Sequence, residues 1–230
     1  MTAKFKLVLF IRFLGYALFL SGLLGLVVML GPLAQAEASY RLDKLRGIKR
    51  TVPKIITSSQ EGITPAEITN GSFGNLQASG EIITPKSSEF GIVIEKINAN
   101  SKVVANVDAG NEKEYTQALA NGVAHAKGTS VPGGGDNIYL FSHSTDAPWN
   151  IIRYNAVFYL LRELVPGDKI IMFYQNRRFD YVVFDKTVAS PDDVSYLNNH
   201  YNQEVLTLQT CDPPGTLINR LIVRAKLVGS

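Results

Sequence analysis

The stretch that decides the fold is Leu206-Thr207-Leu208-Gln209-Thr210-Cys211-Asp212-Pro213-Pro214-Gly215, followed after four residues by Arg220-Leu221-Ile222-Val223-Arg224-Ala225. A run of β-forming residues precedes the cysteine, a Pro-Pro-Gly sequence interrupts it, and a second β-rich run follows. This pattern predicts two strands joined by a loop. Cys211 is therefore expected at the end of the first strand.

Cys211 is the only cysteine in the chain. Without a second cysteine no intramolecular disulfide can form, so the side chain is either a small buried apolar group or a reactive thiol. Composition alone leaves both interpretations open.

A second stretch upstream, Asn137-Ile138-Tyr139-Leu140-Phe141-Ser142-His143-Ser144, is another apolar run, and it ends in a histidine between two serines. Since His143 and Cys211 both lie at predicted strand ends, a β-barrel can bring them together at one rim. An imidazolium beside a thiol lowers the thiol pKa and supplies a proton to a leaving group. The two residues are therefore candidates for thiol catalysis.

These motifs together resemble the sortase family, the membrane-anchored cysteine transpeptidases of bacteria. The resemblance rests on a TLxTC motif ending at Cys211, an R-L-I-V-x-A strand beginning at Arg220, and an F-S-H-S segment around His143. The run Gly122-Val123-Ala124-His125-Ala126-Lys127-Gly128-Thr129-Ser130-Val131-Pro132-Gly133 is also similar to the G-V-x-H-x-x-G-T-x-x-P-G segment that precedes the catalytic histidine in several sortase classes. The similarity extends over roughly residues 82–228 and keeps the family's order of motifs.

The resemblance implies a fold and three catalytic roles. The fold is a mainly β, closed eight-stranded sortase-type β-barrel with short helices, preceded by one transmembrane helix. Cys211 would be the nucleophile as a thiolate, His143 the general acid and base, and Arg220 the group that stabilises the oxyanion. In sortases the active fraction is thought to be the minority that holds thiolate and imidazolium together. Many short β-rich runs in one domain favour the same barrel without reference to the family.

Helices are predicted at residues 114–120 and 149–164, the second because its apolar residues recur at helical spacing and Pro166-Gly167-Asp168 closes it. By analogy with the family, residues 190–203 would form the wall that grips the Leu-Pro end of the substrate.

The amino-terminal residues 7–33 are apolar apart from Arg12, which is long enough to cross a bilayer as a helix. A cleaved signal peptide is the alternative, because Lys4 and Lys6 form a basic start and Ala34-Gln35-Ala36 fits a cleavage site. The length of the apolar stretch favours a retained anchor. The predicted organisation is a cytoplasmic tail at 1–6, a transmembrane anchor at 7–33, a stalk at 34–81 and the catalytic barrel at 82–230.

The orientation of this anchor is a conflict within the sequence. More basic residues follow the apolar stretch than precede it, and by the positive-inside rule they would place the carboxyl side in the cytoplasm. The following residues form this cluster: Arg41, Lys44, Arg46, Lys49, Arg50 and Lys54. The family resemblance implies the opposite, a single-pass protein of the cell membrane with its catalytic domain on the extracellular face, and we adopt that prediction.

Two further histidines are interpreted without a catalytic role. His125 lies in a segment better explained as a turn and a strand start, and His200 lies in an Asn-rich loop and is expected to be solvent-exposed.

Composition and spacing argue against several classes of ligand. The net charge of +3 is too small for a nucleic-acid-binding protein. The glycine run at 132–137 lacks the G-K-[ST] ending of a phosphate-binding loop. Acidic residues at Asp108, Glu112 and Glu114 do not match the spacing of a calcium-binding loop. We therefore expect no cofactor, no required metal and no nucleic-acid partner.

The resemblance implies an acyl-transfer reaction. Cys211 would attack the Thr-Gly bond of an LPxTG-like sorting signal, form a thioester, and pass the protein to an amine of a peptidoglycan cross-bridge or a pilin lysine, with hydrolysis as a side reaction. The L,D-transpeptidases are disfavoured because their S-H-G-C cluster is absent. The non-enzymatic alternative is a membrane-anchored β-barrel adhesion module with a structural Cys211. A Pro and a Gly near the cysteine resemble the sequence at this position in pilin-building sortases and in sortases of class D or E. The sortase class of this chain stays open.

Overall fold

The computed structural model describes residues 3–53, 80–144 and 157–229. Within these ranges the α-helices are α1 (Ala3–Arg46), α2 (Glu112–Asn121) and α3 (Ser195–Asn198), and short 3-10 helices occupy Glu95–Ile97 and Tyr159–Glu163. The strands are β1 (Lys49–Thr51), β2 (Gly80–Ile82), β3 (Phe90–Ile94), β4 (Ala99–Val107), β5 (Val123–Ala126), β6 (Asn137–Phe141), β7 (Lys169–Tyr174), β8 (Arg177–Ala189), β9 (Val205–Asp212) and β10 (Asn219–Gly229).

Eight of these strands close into a barrel in the order β10-β8-β7-β3-β4-β5-β6-β9. Most neighbours are antiparallel, but β4 pairs with β5 and β6 pairs with β9 in parallel. The prediction of a closed eight-stranded barrel with short helices is confirmed. The parallel pairing of β6 with β9 joins the strand that precedes His143 to the strand that carries Cys211.

The barrel interior is filled by alternate side chains of its strands, since successive residues of a strand point to opposite faces. Ile92, Leu140 and Leu208 are fully buried there. Phe158 and Leu161, in and beside the 3-10 helix Tyr159–Glu163, pack into the same cluster. Each such side chain contributes about 1.5–3 kcal/mol relative to an exposed position. The odd-numbered residues near the ends of β6 and β9 consequently lie on the outer face.

The two helix predictions have different outcomes. Residues 114–120 lie within α2, whose first turn is capped by the Asn111 side chain accepting from the Glu114 amide. Half of the predicted helix at 149–164, residues 149–156, lies outside the described residues. Its described end is a 3-10 helix, and the chain is already extended at Leu164, so the helix ends before Val165, the residue whose backbone Pro166 restricts.

The amino-terminal helix α1 contains a candidate membrane span, Phe5–Val28, with mean hydropathy 2.1 and no buried residues. The helix continues beyond the predicted anchor to Arg46. It contacts the barrel through the Glu37 carboxylate, which lies 2.8 Å from an Arg162 guanidinium nitrogen. The membrane location of the helix and its orientation remain predictions.

The predicted stalk lies against the barrel at both of its described ends. Strands β1 and β2 pair in parallel, and Val52 and Ile83 beside them pack on Val93 and Ile171 of the barrel's outer face. Val52 is only 7% exposed, so this part of the chain is not a solvated linker. Residues 54–79 of the predicted stalk lie outside the described residues. The domain boundaries therefore stay a prediction.

Candidate active site

The site begins where β6 ends beside β9. Every β9 residue of this parallel pair lies 68 positions after its β6 partner, and the last pair of the ladder is Phe141 with Gln209. The pairing extends one residue further, because the Ser142 amide donates to the Gln209 carbonyl at 3.1 Å and the Thr210 hydroxyl donates to the Ser142 carbonyl at 2.9 Å. The two segments therefore remain in register beyond the last residue of β6.

His143 and Cys211 follow directly after this hydrogen-bonded pair. They are separated by the same 68 positions as the paired residues before them, so they occupy adjacent places on the two segments. Leu208 faces the interior, so alternation along β9 turns the Cys211 side chain to the outer face. The side chains of His143 and Cys211 are both partly exposed. The structure thus brings the predicted histidine and cysteine together at one rim of the barrel.

Arg220 lies on β10, which pairs with β9 on the side opposite β6. Strand β10 runs antiparallel to β9, and Arg220 is the direct register partner of Cys211. Directly paired residues share a face, and neighbouring strands are about 4.8 Å apart. The Arg220 guanidinium nitrogen Nη1 donates to the carbonyls of Asn219 and Leu217, at 3.2 and 3.4 Å. His143, Cys211 and Arg220 are therefore neighbours on three consecutive segments.

Two opposing effects set the pKa of the Cys211 thiol. Burial raises the pKa above the ordinary thiol value, and the positive charge of Arg220 acts in the opposite direction with a smaller effect. The thiol of the resting protein is therefore mainly protonated at neutral pH. Asp212 is the last residue of β9, so alternation turns its carboxylate to the face opposite Cys211. The positive charge of Arg220 favours the thiolate.

Arg224 lies on the same face of β10 but has other partners. Its Nη2 and Nε donate to one carboxylate oxygen of Asp185 at 2.7 and 2.9 Å, and its Nη1 donates to the Tyr201 hydroxyl at 3.3 Å. The guanidinium also lies 5.7 Å from the centre of the Tyr196 ring. Arg224 therefore links β8 and β10 to the loop between β8 and β9.

That loop, residues 190–204, is attached to the start of β6. The Asn137 side-chain amide donates to the Tyr196 carbonyl at 3.0 Å. The Asp136 carboxylate accepts from the Tyr201 amide at 2.7 Å and lies 2.6 Å from the His200 ring nitrogen. These contacts lower the pKa of Asp136 to about 2. His200 is exposed, as expected, but it also pairs with Asp136, which the sequence did not predict.

His125 lies inside the barrel, on a different face from Cys211 and Arg220. It is 3% exposed, and its Nδ1 accepts from the Asn106 amide at 3.2 Å. Its Nε2 lies 2.8 Å from the Ser130 carbonyl, which assigns the ring proton to Nε2. Burial lowers its pKa. The neutral imidazole therefore joins β5 to the β4 backbone and the following turn.

Two residues of this outer face were missed in the sequence. The Tyr139 hydroxyl, on β6, donates to the side-chain oxygen of Gln209 on β9. Gln209 is partly exposed and precedes Cys211 by two residues, so both lie on the same face. The signal was present in the alternation of Leu208, Gln209, Thr210 and Cys211, which assigns a polar amide to the face that carries the thiol.

The acidic residues considered for calcium are engaged with the local backbone. The Glu114 carboxylate accepts from the Asp108 amide, and the Asp108 carboxylate accepts from the Gly110 amide, each at 2.9 Å. Within the part of the chain that the structure describes, His, Cys, Asp and Glu side chains form no group of three suited to a metal ion. The expectation that no metal is required stays a prediction.

Comparison with known proteins gives one family. The family model described as "Sortase domain" matches residues 92–228, which is more than half of the chain. A search of curated proteins gives no match.

Solved structures give the same result. Sortase C-1 from Actinomyces oris is 28% identical with a TM-score of 0.52, over 61% of this chain and 73% of that chain. A sortase D5 transpeptidase from Clostridium perfringens is 26% identical with a TM-score of 0.50, over 64% and 82% of the two chains. Sortase C1 of GBS pilus island 1 is 26% identical with a TM-score of 0.52, over 61% and 64%. These structures include C and D sortases, so the similarity does not assign a class.

Proposed function

This chain belongs to the sortase family of cysteine transpeptidases, and we propose that it cleaves an LPxTG-like sorting signal at the Thr-Gly bond. The observation that carries this proposal is the row of His143, Cys211 and Arg220 at one barrel rim. A nucleophile, an acid–base group and a donor for the oxyanion are the three functions that acyl transfer to a thiol requires.

In the proposed acylation step, the Cys211 thiolate attacks the carbonyl carbon of the substrate threonine. The negative charge passes to the carbonyl oxygen, where the Arg220 guanidinium donates to it. The His143 imidazolium then protonates the glycine nitrogen as the carbon–nitrogen bond breaks. The carboxyl-terminal fragment leaves with a free amine, and the amino-terminal protein stays on Cys211 as a thioester.

The second step reverses the proton transfer. An acceptor amine attacks the thioester carbonyl and gives a proton to the neutral His143. The carbon–sulfur bond breaks, Cys211 leaves as a thiolate, and the product carries a new amide bond. Water in place of the amine gives hydrolysis. The enzyme therefore returns to the thiolate–imidazolium pair with which it began.

The raised pKa of Cys211 has a consequence for this cycle. Because burial favours the neutral thiol, only a minor part of the enzyme carries the thiolate at neutral pH. A thiol of higher pKa is also the stronger nucleophile once it is deprotonated. Arg220 has two functions in this proposal, since its charge favours the thiolate before attack and stabilises the oxyanion after it.

We further propose that residues 7–33 are a retained single-pass anchor and that the barrel faces the cell exterior. The candidate span of α1 supports an anchor by length and composition. The extracellular orientation follows from the family activity, because surface-protein substrates and their amine acceptors lie outside the cell. The basic cluster that follows the span argues for the opposite orientation by the positive-inside rule.

The acceptor is proposed to be an amine of a peptidoglycan cross-bridge or a pilin lysine. One of the similar structures belongs to a GBS pilus island, which supports the pilin alternative. The family match weighs against the non-enzymatic adhesion module, which is not supported by any observation in the described residues.

The experiment that tests this proposal uses the full chain in detergent. It is incubated with a library of LPxTG-related peptides and with mixtures of amines, namely lysine, oligoglycine and a stem-peptide analogue. Mass spectrometry identifies the cleaved bond and the amine that becomes attached. We expect cleavage at Thr-Gly with amide products, and no product with Cys211→Ala. Cleavage at another bond, or products that Cys211→Ala still forms, would contradict the proposal.

A further inference from the structure

A hydrogen bond on the outer face of the barrel is not used by the three proposed catalytic residues. Tyr139 is 4% exposed, and its hydroxyl donates to the side-chain oxygen Oε1 of Gln209. A buried tyrosine hydroxyl needs a polar partner, because an unpaired one loses its contact with water without replacement. Tyr139 therefore restricts the orientation of the Gln209 amide.

The bond also determines which part of the amide remains available. A glutamine side chain has one acceptor oxygen and one NH₂ group with two donors. Oε1 accepts from Tyr139, so Nε2 points away from that hydroxyl, and in the part of the chain that the structure describes Nε2 donates to no protein acceptor. Gln209 is only partly buried. Its N–H groups are therefore directed toward the open side of the face.

The position of Gln209 relative to the thiol follows from the register. Gln209 and Cys211 are two residues apart on the same face of β9, or about 7 Å along the strand. Gln209 is flanked by Phe141 on β6 and by Ile222 on β10. The amide is thus a polar group between two apolar neighbours, next to the nucleophile.

Electrostatic interactions indicate that the Tyr139 hydroxyl lies near Arg220, one of the three proposed catalytic residues. Burial raises the pKa of Tyr139, and the charge of Arg220 acts on that pKa in the opposite direction. Asp193 of the loop between β8 and β9 also acts on it. Tyr139 therefore lies within electrostatic range of both the catalytic row and the loop that we propose as the substrate wall.

We propose that Gln209 binds the substrate, donating from Nε2 to a main-chain carbonyl of the sorting signal on the amino-terminal side of the scissile bond, and that Tyr139 is the positioning residue that orients this amide. An extended peptide with its scissile carbonyl at Cys211 has a second carbonyl about 7 Å away, which matches the separation of Cys211 from Gln209. The inference rests on the function proposed above and assigns a further binding group to the same site.

The test compares four variants of the full chain in detergent: Gln209→Met, which keeps the length of the side chain and removes its donors, Gln209→Leu, Tyr139→Phe, and the double variant Tyr139→Phe/Gln209→Met. Gln117→Met is the matched control, because Gln117 is an exposed glutamine of α2 that belongs to neither the proposed catalytic residues nor the proposed substrate wall. The measurements are kcat and KM for the LPxTG-like peptide that the library experiment selects, and the rate at which iodoacetamide alkylates Cys211.

We expect Gln209→Met to lower kcat/KM about five- to tenfold, the scale of one neutral hydrogen bond, mainly through KM. Tyr139→Phe is expected to cost about two- to fivefold, and the double variant no more than Gln209→Met alone, since Tyr139 acts through the amide. Alkylation of Cys211 should stay within about twofold of wild type in every variant, because a small reagent does not use the amide. Gln117→Met should match wild type.

Wild-type kcat/KM in both Gln209→Met and Gln209→Leu, with Cys211→Ala inactive, would overturn this inference and leave the proposed function intact. A matching loss in alkylation would also overturn it, because the variants would then act on the thiol and not on the substrate. Additive losses in the double variant would remove Tyr139 from the proposal. No turnover of any sorting-signal peptide by the wild type would refute the proposed function itself.

Discussion

Arg220 and Arg224 offer a matched pair for testing the proposed oxyanion donor, because they lie on the same face of β10 and differ in their position along it. Arg220 is paired in register with Cys211, whereas Arg224 is paired with Thr207. Four residues of strand correspond to about 13 Å, which puts Arg224 beyond reach of a carbonyl bound at the thiol. The substitutions are Arg220→Ala, Arg220→Lys and Arg224→Ala.

The expected losses differ between the two positions. Removing one donor to a developing oxyanion costs about a hundredfold to a thousandfold in rate, so Arg220→Ala should lower kcat/KM by at least about a hundredfold. Arg220→Lys should recover little of this loss, because an ammonium does not reproduce the two-pronged guanidinium. Arg224 already donates to Asp185 and Tyr201. Its loss should cost less than about tenfold, by loosening the loop between β8 and β9.

The assay is kcat/KM with a fluorogenic sorting-signal peptide, with circular dichroism and urea unfolding as controls for folding. The Arg224–Asp185 pair is partly exposed, so Arg224→Ala should lower the free energy of unfolding by about 1 kcal/mol or less. A larger catalytic loss at Arg224 than at Arg220, in variants of equal folding, would refute the register argument and the role proposed for Arg220.

Three further predictions follow from the pKa shifts and the anchor. Alkylation of Cys211 should increase with pH through a pKa above the ordinary thiol value, and Arg220→Ala should move that pKa higher; an unchanged or lower value would contradict the electrostatic role of Arg220. Folding lowers the pKa of His125, so the folded protein binds fewer protons than the unfolded chain. The stabilisation that neutral His125 provides is complete above about pH 6.5, and it is lost as the pH falls through the lowered pKa. Urea unfolding at pH 7.5 and at about pH 5.5 should therefore show a smaller acid-induced loss for His125→Asn than for wild type, and equal losses would be evidence against it. A membrane-impermeant thiol reagent should label Cys211 in intact cells, whereas labelling only after lysis would favour the orientation given by the positive-inside rule.

The barrel strands and the positions of His143 and Cys211 at strand ends could be predicted because their signals are local. The β-rich runs on either side of Cys211 and before His143 define strand ends, and one cysteine leaves one candidate nucleophile. Arg220 begins the β-rich run that follows Cys211, and the antiparallel register of β9 with β10 pairs these two residues directly. The catalytic roles themselves stay predictions until variants are measured.

Other features depend on long-range pairing, which local patterns do not encode. Each β9 residue lies 68 positions after its β6 partner, and His143 and Cys211 have the same spacing in the sequence. This spacing indicates that the two residues are neighbours only when the two strands are known to be parallel. Val52 docks on the outer face through contacts with β3 and β7, and the composition of its own segment does not encode these contacts. The sequence therefore predicted only a stalk there. The Tyr139–Gln209 bond likewise joins residues that are far apart in the chain.

The same limit applies to the helix predicted at 149–164. Apolar spacing indicates which face is buried but does not distinguish an α-helix from a tighter turn that fills the end of a barrel. Its described end, Tyr159–Glu163, is a 3-10 helix whose Leu160 and Leu161 are in the core.

The central claim is that Cys211 forms a thioester with the amino-terminal part of a sorting signal. It is tested most directly by intact-protein mass spectrometry of the full chain, quenched in acid during turnover of an LPxTG-like peptide without an added amine. We predict a mass increase equal to the acyl fragment ending in threonine, located on Cys211 by peptide mapping, removed by hydroxylamine, and absent from Cys211→Ala and His143→Ala. Turnover at the wild-type rate by Cys211→Ala, or an acyl adduct on any other residue, would contradict the account.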